Sequence, residues 1–302
     1  MLVKSEEQNM IYTISNDLLT LTIDSKGAEI KSIRKDNIEY IHQDDPKTWN
    51  RSAPFLFPAI GCFKDKITKF NGIEYKLPKH GFVRDMKTSL VSKTNSSLVF
   101  EVTQNEESLS YYPFNFIYRV TYTLDNTTVN VKIDVVNTND VVLPFNLGLH
   151  PAFRVPLFEK EQFEDYTIYF NKMDNYTIPT IDLQNGLIDW NKPMREFKDF
   201  DTLPLNYDDY KNDALVFDNV KFDEITLKNN DSGYGIKLSF SDFKTVGIWT
   251  PNHVNANFVC LEPWIGCADA PQSSGNFVDK KDVINLNPQD TFSTTYKITI
   301  LK

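Results

Sequence analysis

The sequence predicts an all-β protein, one large antiparallel β-sandwich over residues 1–302, and three observations carry that prediction. Apolar and polar residues alternate with period 2 in segment after segment, the mark of strands with one buried face. No amphipathic helical pattern of ten or more residues is present, and no repeat of fixed period. Phe, Tyr and Trp make up 13% of the chain, and such bulky rings suit pleated, half-buried surfaces and ligand platforms better than helices.

Taken in order, Leu19, Leu21 and Ile23 alternate with Thr20 and Thr22, so the N-terminal part enters a sheet. Short β-like runs follow at 28–34, 73–77, 98–102 and 116–124. The clearest strand is Val129, Val131, Ile133 and Val135 interleaved with Asn130, Lys132 and Asp134. Further runs are 166–170, 224–227, 236–240 and 258–261, and the C-terminal alternation of Tyr296, Ile298 and Ile300 with Lys297 and Thr299 returns the chain to a sheet. Asn71-Gly72, Asp125-Asn126 and Asp231-Ser232-Gly233 supply turns between them. The 174–210 stretch is richer in Pro, Asn and Asp, and it reads as a long irregular excursion over the surface. No linker divides the chain, so a single domain is expected.

Charge narrows the partners. A net charge of -9 repels phosphate backbones and anionic lipid, which excludes nucleic acid and membrane surfaces and favours a small neutral solute. Cys62, Cys260 and Cys267 are odd in number and match no zinc or redox spacing, so free thiols and a reducing compartment are expected. The opening MLVKSEEQNMIYTIS has no apolar leader core, and no run approaches the roughly 18 apolar residues of a membrane span, which predicts a cytoplasmic protein.

Four histidines are weighed one by one. His42, before Gln43-Asp44-Asp45-Pro46, reads as a solvated turn residue; His253 lies in a second turn, after Ile248-Trp249, which could form part of a sugar-stacking wall. His80 in Pro78-Lys79-His80-Gly81-Phe82-Val83-Arg84 and His150 in Gly148-Leu149-His150-Pro151-Ala152-Phe153 differ, because adjacent Gly or Pro gives each an unusual, stiff or closely approached backbone. A structural hydrogen-bonding role is equally open to each. Glu262 ends the apolar run Phe258-Val259-Cys260-Leu261 and precedes Pro263-Trp264. A carboxylate desolvated by a neighbouring indole has its pKa raised, the direction that suits a general base near neutrality; the plainer reading is a paired strand-end glutamate.

At these residues the chain resembles the aldose 1-epimerase, or galactose mutarotase-like, family, and within it the LacX-type branch. The resemblance runs through Leu21-Thr22-Ile23-Asp24-Ser25-Lys26-Gly27-Ala28-Glu29-Ile30, Arg51-Ser52-Ala53-Pro54-Phe55-Leu56-Phe57-Pro58, His80-Gly81-Phe82-Val83-Arg84, Gly148 to Phe153, Asn212-Asp213-Ala214-Leu215 and Cys260-Leu261-Glu262-Pro263-Trp264. It implies a β-supersandwich with a shallow cleft, an aldohexose substrate, and ring opening and reclosure that interconvert anomers without cofactor or metal. By the same resemblance Glu262 is the general base toward the anomeric hydroxyl and His150 the general acid toward the ring oxygen. His80 is a second histidine bonded to the reacting oxygens, and Asp213 a carboxylate that holds sugar hydroxyls. Trp249 and Trp264, with Trp49, offer stacking faces. One departure stands out: where galactose mutarotases carry an arginine after the glycine, this chain reads Gly61-Cys62-Phe63-Lys64-Asp65-Lys66. Arg51 is the candidate replacement, and Arg84 either joins it at the sugar or pairs with Asp85. Arginines there fit neutral hydroxyls or a phosphate, so a hexose-6-phosphate mutarotase stays open beside the free-hexose enzyme. A non-catalytic sugar-binding protein is the reading from another class; the presence of both His150 and Glu262 weighs against it. Monomer and homodimer are both compatible with the sequence.

Overall fold

The computed structural model describes residues 9–302. The main layer is a nine-stranded sheet in the order Ile188–Pro204, Tyr166–Ile181, Glu224–Asn229, Gly235–Phe240, Thr291–Leu301, Thr128–Asn137, Phe116–Asp125, Ser97–Thr103, Ser89–Lys93. A six-stranded sheet runs Leu215–Asp218, Thr245–Trp249, Phe258–Ile265, Leu147–Leu149, Phe55–Leu56, with Ala152–Arg154 also paired to Phe258–Ile265. Near the N-terminus Ile11–Ser15, Thr20–Asp24, Glu29–Lys35 and Ile38–Glu39 form a four-stranded sheet. The one α-helix among the described residues, Glu106–Tyr111, is six residues long and is capped by the Asn105 side chain on the Ser108 N–H.

Register explains the core. Leu98, Tyr122, Val131, Tyr296 and Phe240 stand opposite one another across five neighbouring strands of the large sheet, and all are buried. Each such row removes several large apolar side chains from water at about 1.5–3 kcal/mol apiece relative to exposure. Because successive side chains point to opposite faces, the polar residues between them, Asn130 and Lys132 among them, fall on the other face.

Two expectations from the sequence are corrected. The 174–210 stretch is no irregular excursion: Tyr166–Ile181 and Ile188–Pro204 form a long paired hairpin at the edge of the nine-stranded sheet. Register shifts between Tyr169 and Asp174, at Asp174/Tyr176 and around Pro179 break the alternation that would have marked it as strand. Its Tyr176, Ile178, Phe197 and Phe200 belong to the main hydrophobic core. His42 is not solvated; it is buried against Phe258, and its Nε2 lies 2.9 Å from the Trp49 carbonyl. No helix among the described residues is long and apolar enough to cross a membrane. Of the expected leaderless N-terminal stretch, residues 1–8 lie outside the described residues.

Candidate active site

The strand Phe258–Ile265 is buried on both faces, and its alternation divides it between two environments. Val259, Leu261 and Ile265 enter the main core. Cys260 and Trp264 instead pack in two small apolar clusters, and Glu262, two residues from each, shares their side of the strand. The neighbouring strands make room for them by omitting side chains. A Cβ on Gly247, which stands opposite Glu262, would fall 2.8 Å from the Trp264 ring, and a Cβ on Gly148 would fall 2.9 Å from Cδ1 at the ring's other end.

All eight residues singled out from the sequence, Glu262, His150, His80, Asp213, Arg51, Arg84, Trp249 and Trp264, line one cavity of about 490 Å³. Glu262 is 2% exposed and His150 8%. His150 Nε2 lies 3.1 Å from Glu262 Oε2, a close approach that is not aligned as a hydrogen bond. Trp49 stacks on the His150 ring at 4.7 Å, and the Trp249 ring meets it edge-on at 5.7 Å, so the imidazole is held on two sides. His80 sits in a tight turn with φ 65°; the next residue is Gly81, where a Cβ would fall 2.0 Å from the Phe57 carbonyl oxygen. The Gly61 N–H donates to His80 Nδ1 at 3.1 Å, and Gly61 O accepts the His80 N–H at 3.1 Å. With Nδ1 accepting, the neutral ring carries its proton on Nε2.

The N-terminal sheet positions the arginines. Glu29 Oε1 accepts the Ser52 and Ala53 N–H groups at 2.6 and 2.9 Å, fixing the backbone next to Arg51. Gly27 packs so closely that an added Cβ would lie 2.8 Å from the Arg84 backbone. Arg51 Nη2 donates to Asp85 at 2.8 Å, while Arg84 Nη2 donates to the Lys79 carbonyl at 2.7 Å and Arg84 Nε stays buried without a hydrogen-bond partner. Thus the Arg84–Asp85 pair weighed from the sequence exists only as a 3.7 Å contact. Asp213 has φ 75°, and its Oδ1 accepts from the Ala214 N–H beside it.

The site is electrostatically polarised. Burial, reinforced by Asp213, pushes the Glu262 carboxyl well above its ordinary range, against the opposite pull of Lys79 and the Trp264 side chain. Burial and the cations Arg84, Lys79 and Arg51 hold His150 well below the usual imidazole range. His80 is held low by burial and by Lys79, His150 and the same arginines. Arg84 is itself pulled down to about 10 by burial and by Arg51. Sequence reading missed Lys79, which lines the cavity, because a lysine between Pro78 and His80 carries no signal of its own. It also missed Ile181, Gly186 and Ile188, the hairpin tip that walls the cavity.

The family model for aldose 1-epimerase matches residues 10–299 of this chain. The chain belongs to the aldose 1-epimerase family. It is thus an enzyme of the isomerase class whose substrate is a sugar. It is 32% identical over 299 residues to the plasmid-encoded protein LacX of Lactococcus lactis subsp. lactis, covering 97% of this chain and 100% of that one. Among solved structures it resembles a galactose mutarotase related enzyme from Lactobacillus acidophilus, with 30% identity, TM-score 0.92, and 97% and 98% of the two chains covered. A galactose mutarotase-like protein from Lactobacillus casei superposes with TM-score 0.88 at 28% identity, covering 97% and 100%. These likenesses establish the galactose mutarotase-like β-supersandwich expected above.

Proposed function

We propose that the whole chain works as one domain that interconverts the α and β anomers of an aldohexose by acid–base ring opening and closure. The observation that carries this reading is the buried approach of His150 to Glu262, 3.1 Å apart on the wall of a sugar-sized cleft. Ring opening removes a proton from O1 and delivers one to O5; rotation about C1–C2 and the reverse transfers give the other anomer. Glu262 takes the O1 proton and His150 supplies the O5 proton. Before the transfer the pair is carboxylate and imidazolium, and afterwards carboxylic acid and neutral imidazole, so it holds one proton throughout and titrates as a unit. Burial raises Glu262 and lowers His150, so carboxylic acid with neutral imidazole is the favoured state of the pair, and it is the state in which the opening step ends. His80, with its proton on Nε2, donates to a sugar oxygen, Asp213 accepts from hydroxyls, and Trp249 and Trp264 supply apolar faces.

A second reading, a hexose 6-phosphate as substrate, is favoured by one specific observation: Lys79, Arg51 and Arg84 all line the cavity, and Arg84 Nε makes no hydrogen bond, only a 3.7 Å contact with Asp85. Polarimetry of freshly dissolved α-glucose, α-galactose and their 6-phosphates tests both. Glu262→Gln keeps size but not basicity, and the catalysed rate should fall by roughly 10²- to 10⁴-fold. Wild-type protein that accelerates none of these sugars, or a Gln variant of undiminished rate, overturns the assignment.

A further inference from the structure

Beyond the acid–base residues, one buried ion pair stands where three segments of the cleft wall meet. Lys280 Nζ contacts Asp269 Oδ1 at 2.5 Å, with the two side chains 3% and 4% exposed, and the ammonium also lies 4.7 Å from the centre of the Phe63 ring. The other carboxylate oxygen of Asp269 accepts the Lys64 N–H at 3.0 Å. The Asp269 main chain bonds both flanking segments: its N–H donates to Cys62 O at 3.0 Å, and its carbonyl accepts the Ile188 N–H at 2.9 Å. Each partner adjoins or belongs to the cleft. Ile188 is part of the hairpin tip, and Cys62 and Lys64 follow Gly61, whose N–H fixes the His80 ring. Ala268, next to Asp269, presses on Gly61 so closely that a Cβ there would be 2.4 Å from the Ala268 Cβ.

We propose that Asp269 is a positioning residue: by holding Lys64 and Cys62 it fixes the Gly61 N–H against His80 Nδ1, and so keeps the proton of His80 on Nε2. This inference rests on the acid–base reading of the cleft for its kinetic consequence, but not for its structural one. A buried ion pair gains little stability over apolar residues of similar size, because desolvation offsets the attraction. Stability alone is therefore a poor reason for a charged pair at this seam. The carboxylate brings something an apolar side chain lacks, an acceptor for the Lys64 N–H.

Two double variants separate positioning from bulk stability, since both remove the charges together and neither strands a buried ion. D269N/K280M keeps an amide oxygen to accept the Lys64 N–H; D269L/K280M fills the space without an acceptor. The expected result is near-wild-type kcat in the first and a fall of about ten- to a hundredfold in the second, with KM changed less, as a small misplacement of a working group predicts. Nitrogen-15 NMR of the full-length protein should show an unprotonated, hydrogen-bonded His80 Nδ1 in wild type and D269N/K280M, and a mixed or exchanged tautomer in D269L/K280M. If D269L/K280M does not fold, D269A/K280M offers the same contrast without added bulk. Equal kcat and an identical His80 signal in both double variants overturn the proposal, as does a loss shared equally by both. A wild-type protein inactive on every sugar would sink the proposed function, while the His80 signal would still decide the role of Asp269.

Discussion

At the scale of single residues, the site places a carboxylate where the protein resists its ionisation. Glu262 is held well above the ordinary carboxylate range by burial and by Asp213, so the folded state binds its proton more tightly than the unfolded chain does. Its contribution to stability is therefore fully present below the unfolded value, and it is lost as pH rises through the raised folded value. Glutamine has no proton to lose. Glu262→Gln is thus expected to match wild type in thermal midpoint at acidic pH and to exceed it increasingly as pH rises, even as it loses activity by the proposed mechanism. Melting curves at several pH values check this, and a variant that is less stable than wild type at alkaline pH would refute it. Such a gain on removing a functional group is the usual cost of keeping a working site in an unfavourable environment. His150 acts in the opposite sense: its lowered value adds stability above the unfolded pKa that is lost as pH falls through the folded one.

At the scale of elements, the glycines opposite the central strand matter as much as the side chains they accommodate. A methyl group at Gly247 would meet two carbons of the Trp264 ring at 2.8 Å, and Gly148 is packed against Cδ1 at the ring's other end, which limits how the ring can shift. Gly247→Ala is expected to cost about 1–3 kcal/mol by overpacking, and to raise KM more than it lowers kcat, since in the proposed function Trp264 faces the sugar rather than the proton path. Denaturant unfolding and steady-state kinetics read the two effects separately; an unchanged KM would show that Trp264 contributes no sugar contact. Gly247 and Gly148 also show where sequence reading runs out. The strand Thr128–Asn137 was legible because one face is buried and the other is not, giving Val129 to Val135 their alternation. Thr245–Trp249 and Leu147–Leu149, next to the central strand, are buried almost throughout, so no alternation marked them. Of the hairpin of Tyr166–Ile181 and Ile188–Pro204, the 166–170 run was legible, and the rest was hidden by its register shifts. Glu262, His150 and His80 were legible from their compact motifs and the family resemblance; Asp269 and Lys280 were not, because only the fold brings Asp269 to Lys64, 205 residues away.

At the scale of the whole molecule, the cleft floor is part of the cooperative core, and the three thiols offer a way to observe that. Cys62 is half-buried in the segment after Gly61, whereas Cys260 lies in the central strand of the six-stranded sheet and Cys267 just beyond it, both buried. Burial pushes the Cys260 thiol well above its ordinary range and Cys267 up to about 12, so neither holds a reactive thiolate in the folded state. Cys260 sits in a strand paired with Thr245–Trp249 on one side and with Leu147–Leu149 and Ala152–Arg154 on the other, so exposing it through the sheet means separating the strand from both, and Cys267 follows directly on that strand. That separation dismantles the six-stranded sheet, so it should demand close to global unfolding. For an ordinary domain stability of about 5–15 kcal/mol, the open fraction is below roughly one in a thousand. Native protein should therefore show one fast thiol and two that react together at least about a thousandfold more slowly, and the slow phase should accelerate in step with urea unfolding. Denatured protein without reductant should titrate all three. A Cys260 that reacted early, ahead of Cys267 and independently of urea, would show instead that the central strand opens locally, and the rigid acid–base geometry argued from it would lose its support.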